Sequence, residues 1–136
     1  MLEQIKEEVR RHALDADRAG LCRHRSGNFS VHDTASGLIC ITPTGMDREE
    51  MTADDIVVID MNGHTVESLH NRKPTSELMM HTAIYQSRSD VHAVAHTHSR
   101  AATAFAVMNK NIPAIVYEFS ILGCKEGYVP VAPYGR

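Results

Sequence analysis

His96 and His98 stand one residue apart at the end of the apolar run Val91 to Ala95. If that run is a β-strand, its period of two sends both imidazoles to one face. Neutral imidazole is the commonest protein ligand for a metal, and such a pair needs only one or two further donors to hold zinc. The same histidines could instead hydrogen-bond to polar neighbours at a strand end, and the spacing alone does not choose. Other stretches carry compatible chemistry. Lys73-Pro74-Thr75-Ser76-Glu77 reads as a helix start, with Thr75 or Ser76 as N-cap and Glu77 at the positive end of the helix dipole. Two hydroxyls at such a start also suit a phosphate. Thr42-Pro43-Thr44-Gly45 follows a predicted strand and could present N–H and O–H donors to an anion. Gly27, just before Asn28, permits a tight turn or a close approach of backbone to ligand. Each of these also has a plain structural use as a cap or a turn.

The surrounding elements follow from periodicity. Leu2, Ile5, Val9, Ala13 and Ala16 form one stripe of a helix over 2–19, with Glu3, Lys6, Glu7, Arg10 and Arg11 around it. Gly20 is its stop. Phe29 and Val31 alternate with Asn28, Ser30 and His32 as in a half-buried strand, and 38–41 and 56–60 read as buried strands. Asn62-Gly63 predicts a hairpin to a strand near 65–69. A second helix runs to about Arg88 with Met80, Ala83, Ile84 and Ser87 on one face. Ser99 is the expected cap of a third, over 100–109, with Ala101, Ala102, Phe105 and Met108 inward. A strand over 112–117 and a loop-like tail over 123–136, with one short extended piece, complete the chain.

The 136 residues, 43% hydrophobic and 23% charged, fit one soluble domain. A net charge of -3 leaves no basic footprint for nucleic acid, and no stretch approaches the roughly 20 apolar residues of a membrane span. Cys22, Cys40 and Cys124 are widely spaced and form no CxxC pair, which predicts no disulfide framework and a reducing compartment. With no apolar signal core at the N-terminus, the expected location is the cytoplasm.

Taken in order, five motifs resemble the class II aldolase and adducin family over nearly the whole chain. They are Ser26-Gly27-Asn28-Phe29-Ser30, Ile41-Thr42-Pro43-Thr44-Gly45, Pro74-Thr75-Ser76-Glu77, His96-Thr97-His98-Ser99 and Ile112-Pro113-Ala114-Ile115-Val116-Tyr117. Within that family the pattern is that of the fuculose-phosphate aldolases, helped by Tyr85-Gln86-Ser87-Arg88. The resemblance implies a three-layer α/β fold, a central and mainly antiparallel sheet flanked by helices, in a single domain over 1–136. It also implies a homotetramer with active sites at subunit boundaries.

For the site, the resemblance makes His96 and His98 two of three zinc-binding histidines. Glu77 becomes the catalytic acid/base, able to ligate the zinc of the resting enzyme. Gly27, Asn28, Thr44, Gly45, Thr75 and Ser76 form the pocket for a substrate phosphate. Tyr117 is a proton donor reaching into a neighbouring subunit, although Glu118 and Phe119 depart from the family pattern. The implied reaction is zinc-dependent retro-aldol cleavage of a ketose 1-phosphate, such as L-fuculose 1-phosphate, to dihydroxyacetone phosphate and an aldehyde. A sugar-phosphate 4-epimerase or dehydratase on the same scaffold, an inactive fragment and an adducin-like binding module are the alternatives. The expected partners are a small sugar phosphate and further copies of the chain, with neither nucleic acid nor membrane. The family's third zinc histidine and its last strands and helices lie downstream of the region matching Arg136, so the chain is expected to lack the family's C-terminal part.

Overall fold

The apolar stripe at the N-terminus forms helix α1 (Leu2–Arg18), which buries Val9 and Ala13 and lays Leu2, Ile5 and Ala16 against the same cluster. The computed structural model describes residues 2–121, 123–124 and 126–133. Gly20, at φ +76°, ends α1 in a Schellman arrangement: Leu21 N–H donates to the Ala16 carbonyl at 2.9 Å and Gly20 N–H to the Asp17 carbonyl at 2.8 Å. Lys6 departs from the expected polar flank. It is 1% exposed, with its ammonium bonded to Glu3 at 2.9 Å and to Glu67. Glu67 comes from a distant strand, so helical periodicity could not reveal this pairing.

Residues Met1–Thr97 make one compact unit. Its sheet contains β1 (Asn28–Asp33), β2 (Leu38–Ile41), β3 (Val57–Ile59), β4 (Thr65–Glu67) and β5 (Ala93–His96). The order is β4-β3-β2-β1-β5, antiparallel throughout. The first four strands form a meander, and β5 returns to the remaining edge of β1. Asp60 shapes the Asn62-Gly63 hairpin, its Oδ1 accepting from the backbone N–H of Asn62 at 2.8 Å and of His64 at 2.9 Å.

Side chains divide cleanly between the two faces of the sheet. Phe29, Cys40 and Val58 pack with Val9, Ala13, Cys22, Met51 and Ile56 on the α1 side. Ile39, Ile41, Val57 and Ile59 face Tyr85 of α2 (Leu78–Ser87) on the other. Helices thus cover both faces of a central antiparallel sheet, which is the expected three-layer α/β arrangement.

Two local expectations fail for one reason. Asn28 and Ser30, expected to face solvent, are 5% and 2% exposed because α2 covers them. That helix buries His81, Thr82 and Tyr85 and leaves Met79 and Ala83 exposed, so its inner face is not the expected Met80, Ala83, Ile84 and Ser87. Polar positions on β1 select polar partners on α2.

Residues His98–Arg136 make the second unit. Helix α3 (Arg100–Val107) follows Ser99, which makes no side-chain cap bond, and none of its residues is fully buried. The expected strand over 112–117 shrinks to β6 (Ile112–Pro113), paired antiparallel with β7 (Tyr128–Val129), a short extended piece in the tail where one is expected. Ile115 N–H turns back onto the Pro113 carbonyl at 3.0 Å, which ends the ladder. Tyr117 then precedes the single turn of α4 (Glu118–Ile121). The last residues of the expected tail, 134–136, lie outside the described residues. Among the described residues no helix is long and apolar enough to cross a membrane.

Candidate functional site

Asn28 opens β1 and stands in register with His96, the last residue of β5. Its Oδ1 lies 2.6 Å from Nε2 of His81 and 3.3 Å from Nδ1 of His96. A carbonyl oxygen only accepts, so both ring nitrogens donate, which places the His81 proton on Nε2 and a His96 proton on Nδ1. Nδ1 of His81 then accepts from the Ser30 hydroxyl at 2.7 Å, and the Ser30 oxygen accepts from the Tyr85 phenol at 2.6 Å. Burial, with a smaller contribution from His96, lowers the His81 pKa to about 4 and keeps the ring neutral. Burial likewise pushes the Tyr85 phenol up to about 12, against the opposing bond from Ser30, so it retains its proton. With Nδ1 of His96 bonded to Asn28, Nε2 is the nitrogen suited to a metal. A carbonyl behind the ring is the usual means by which proteins orient such ligands.

Three loops surround this cluster. Gly27 has φ +73°, and a Cβ there would lie 2.7 Å from the His96 carbonyl oxygen and 2.7 Å from Sγ of Cys22. The close approach of β1 to β5 therefore requires glycine. Thr42 ties the loop after β2 to β1, its N–H donating to the Phe29 carbonyl at 3.0 Å and its hydroxyl oxygen accepting from Phe29 N–H at 3.1 Å. The 42–45 loop pairs in turn with the 73–76 loop. Thr75 N–H donates to the Thr42 carbonyl at 3.1 Å and Thr44 N–H to the Lys73 carbonyl at 3.0 Å, around a Pro43–Pro74 bridge.

This pairing holds Thr75 outside the helix, and α2 begins only after Glu77. Glu77 occupies the cap position itself, without a side-chain cap bond, in place of the expected Thr75 or Ser76. The Thr75 hydroxyl oxygen accepts from Glu77 N–H at 3.3 Å. Thr75 is buried, whereas Thr44, Gly45, Ser76 and Glu77 are exposed.

Of the residues expected in the site, Gly27, Asn28 and His96 are thus in direct contact, and Thr44, Gly45, Thr75, Ser76 and Glu77 lie on two loops bonded to each other. His98 and Tyr117 belong to the second unit, where Tyr117 is 72% exposed. His81, Ser30 and Tyr85 were not anticipated. Their signal is a spacing: His81 and Tyr85 follow the Glu77 cap at every fourth residue along α2, opposite the alternating Asn28 and Ser30 of β1.

Among the described residues, no three His, Cys, Asp or Glu side chains gather as a metal-binding group. The oriented His96 imidazole has the chemistry of a metal ligand.

Comparison with known proteins agrees with this arrangement. Residues 7–136 match the family described as Class II Aldolase and Adducin N-terminal domain. The L-fuculose phosphate aldolase of Escherichia coli (strain K12) is 41% identical over 121 residues, covering 89% of this chain and 53% of that protein. An L-ribulose-5-phosphate 4-epimerase of Salmonella paratyphi B is 39% identical over 114 residues, covering 84% of this chain and 49% of that protein. A solved L-fuculose 1-phosphate aldolase superimposes with a TM-score of 0.88 at 35% identity, over 98% of this chain and 60% of its own. The chain spans about half the length of these two curated relatives.

Proposed function

The chain belongs to the class II aldolase and adducin family, and we propose that it carries much of the active site of a zinc-dependent sugar-phosphate aldolase. The reaction is retro-aldol cleavage of a ketose 1-phosphate, such as L-fuculose 1-phosphate, to dihydroxyacetone phosphate and an aldehyde. The observation that supports this reading best is the Asn28 carboxamide held between two imidazoles, on a strand bonded to the 42–45 loop, which is bonded in turn to the 73–76 loop.

The chemical difficulty is a carbanion beside a carbonyl, which water near neutral pH does not stabilise. Zinc, held by His96, His98, Glu77 and a further ligand, would supply an electrophile for the carbonyl and adjacent hydroxyl oxygens. Glu77 moves the proton at the nucleophilic carbon. Its exposed position at the start of α2 leaves the carboxylate accessible to a substrate. The side chains of Asn28, Thr44, Thr75 and Ser76 and the N–H groups of Gly27, Gly45 and Ser76 bind the phosphate through dipoles and fix the reacting carbons relative to Glu77. Tyr117 receives the proton of the hydroxyl that becomes the aldehyde oxygen, and returns it in the aldol direction, across a subunit boundary in a cytoplasmic homotetramer.

The test is release of dihydroxyacetone phosphate from a panel of ketose 1-phosphates by the intact protein, with metal content measured in parallel. Glu77→Gln is expected to abolish cleavage while leaving phosphate affinity unchanged. Cleavage at the unaltered rate would overturn the role of Glu77. The 39% identity to a 4-epimerase supports a second reading, which predicts isomerisation of L-ribulose 5-phosphate with no dihydroxyacetone phosphate released.

A further inference from the structure

We infer that His81 is a positioning residue that locks the Asn28 carboxamide with its oxygen toward the imidazoles, so that its NH2 group serves as the donor to a bound phosphate. The inference rests on the reading of Asn28 as part of the phosphate pocket.

The two ends of a carboxamide differ little in shape, so packing alone selects its orientation poorly; hydrogen bonding must do it. Two arrangements satisfy the middle of the cluster. In the first, Tyr85 donates to Ser30, Ser30 to Nδ1 of His81, and Nε2–H of His81 to Oδ1 of Asn28. In the second every bond reverses, and the Asn28 NH2 donates to both rings. Reversal makes the Tyr85 oxygen an acceptor from Ser30. Among the described residues the other polar group against that oxygen is the backbone amide of Val94, which can only donate. The phenolic proton of Tyr85, a residue 5% exposed, would then lack an acceptor.

The first arrangement satisfies Tyr85, Ser30, His81 and the Asn28 oxygen. Its consequence is local: the NH2 end of Asn28 turns away from the rings and toward the ligand side, where reversal would offer an oxygen lone pair to an anion. Ser30 and Tyr85 act through His81, and His81 acts through Asn28. His81 is 0% exposed and touches no substrate.

Nitrogen-15 NMR of the intact wild-type protein reads the tautomer directly. His81 is expected to carry its proton on Nε2, and a proton on Nδ1 would overturn the inference without any variant. Binding of inorganic phosphate supplies the second readout. His81→Leu is expected to weaken phosphate binding about tenfold, the effect of one misdirected hydrogen bond to a charged group. His81→Gln, whose NH2 group can still donate to Asn28, is expected to restore most of that loss. In an Asn28→Ala background His81→Leu should cost nothing further, whereas a merely structural histidine would cost the same in both backgrounds and overturn the inference.

Should His81→Leu not fold, Ser30→Ala removes the hydroxyl that selects the tautomer. Unchanged phosphate affinity and an unchanged His81 tautomer in that variant would then overturn the inference. Unchanged affinity in Asn28→Ala alone would instead remove the pocket assignment on which the inference stands. Weakened binding in Asn28→Ala with none in His81→Leu would overturn the role of His81 and leave the pocket intact.

Discussion

Replacing Gly27 with alanine places a methyl group where the backbone of β1 passes closest to β5. The new Cβ would lie 2.7 Å from the His96 carbonyl oxygen and 2.7 Å from Sγ of Cys22, both well inside van der Waals contact. Two costs combine. Holding a residue with a Cβ at φ +73° costs about 1–2 kcal/mol. Making room in a packed region costs about 1–3 kcal/mol more, for a total of about 2–5 kcal/mol. Gly45 provides the internal control, since it has φ +64° but no atom within 4 Å of an added Cβ. Gly45→Ala should therefore show only the conformational part, about 1–2 kcal/mol.

Urea unfolding followed by circular dichroism measures both. With a slope of about 1–3 kcal/mol per molar urea, the midpoint of Gly27→Ala should fall roughly 1 M further than that of Gly45→Ala. Adding Cys22→Ala to Gly27→Ala removes the sulfur contact and leaves the carbonyl contact, so recovery should be partial. Equal midpoints for the two glycine variants would refute the close approach and reduce Gly27 to an ordinary turn residue. Full recovery with Cys22→Ala would refute the part assigned to the His96 carbonyl.

The Asp55 carboxylate pays a burial penalty, but bonds from His70, Thr52 and Arg72 outweigh it and hold its pKa well below the usual range. A depressed folded pKa means stabilisation that is complete above about pH 4 and fades as pH falls below it, so Asp55→Asn should flatten the acid limb of a stability–pH curve measured by thermal melting. Glu67→Ala strands the Lys6 ammonium with Glu3 alone and should destabilise by about 1–3 kcal/mol in urea melts, whereas Lys6→Met, which removes the buried charge, should cost less. Burial pushes the Cys40 thiol up to about 11, so in native protein a disulfide reagent should titrate Cys124 first and reach Cys22 and Cys40 only on unfolding. Thr75→Ala should raise KM for the sugar phosphate about tenfold with a smaller change in kcat, since it removes a binding hydroxyl and no proton carrier.

Sequence periodicity reveals what local spacing controls. The α1 stripe, the 38–41 strand and the Asn62-Gly63 hairpin all appear where expected. Periodicity misleads where a polar residue is inward for a reason located elsewhere in the chain. Lys6 looks like a surface lysine until Glu67 arrives from β4, and His81 and Tyr85 look like the outer face of α2 until Asn28 and Ser30 lie beneath them. β6 is shorter than the apolar run 112–117 that contains it, because apolar character alone cannot locate a partner strand. Among the site residues, the resemblance singled out Asn28 and His96, but the group that joins them has no motif. It is written across β1, α2 and β5 in three pieces.

The bond between Asn28 and His96 spans 68 positions of sequence, and it exists only because β5 returns to the edge of β1. Closing a loop of that length requires most of the intervening meander to be in place, so this pairing belongs to the late, slow part of folding. On the ribosome, where the N-terminal part emerges first, β1 to β4 can assemble while one sheet edge is still unpaired. A nascent chain interrupted before β5 would therefore present a partly formed sheet with an open edge, a target for aggregation or quality control. Ligand-binding competence and completion of this sheet should appear together in time.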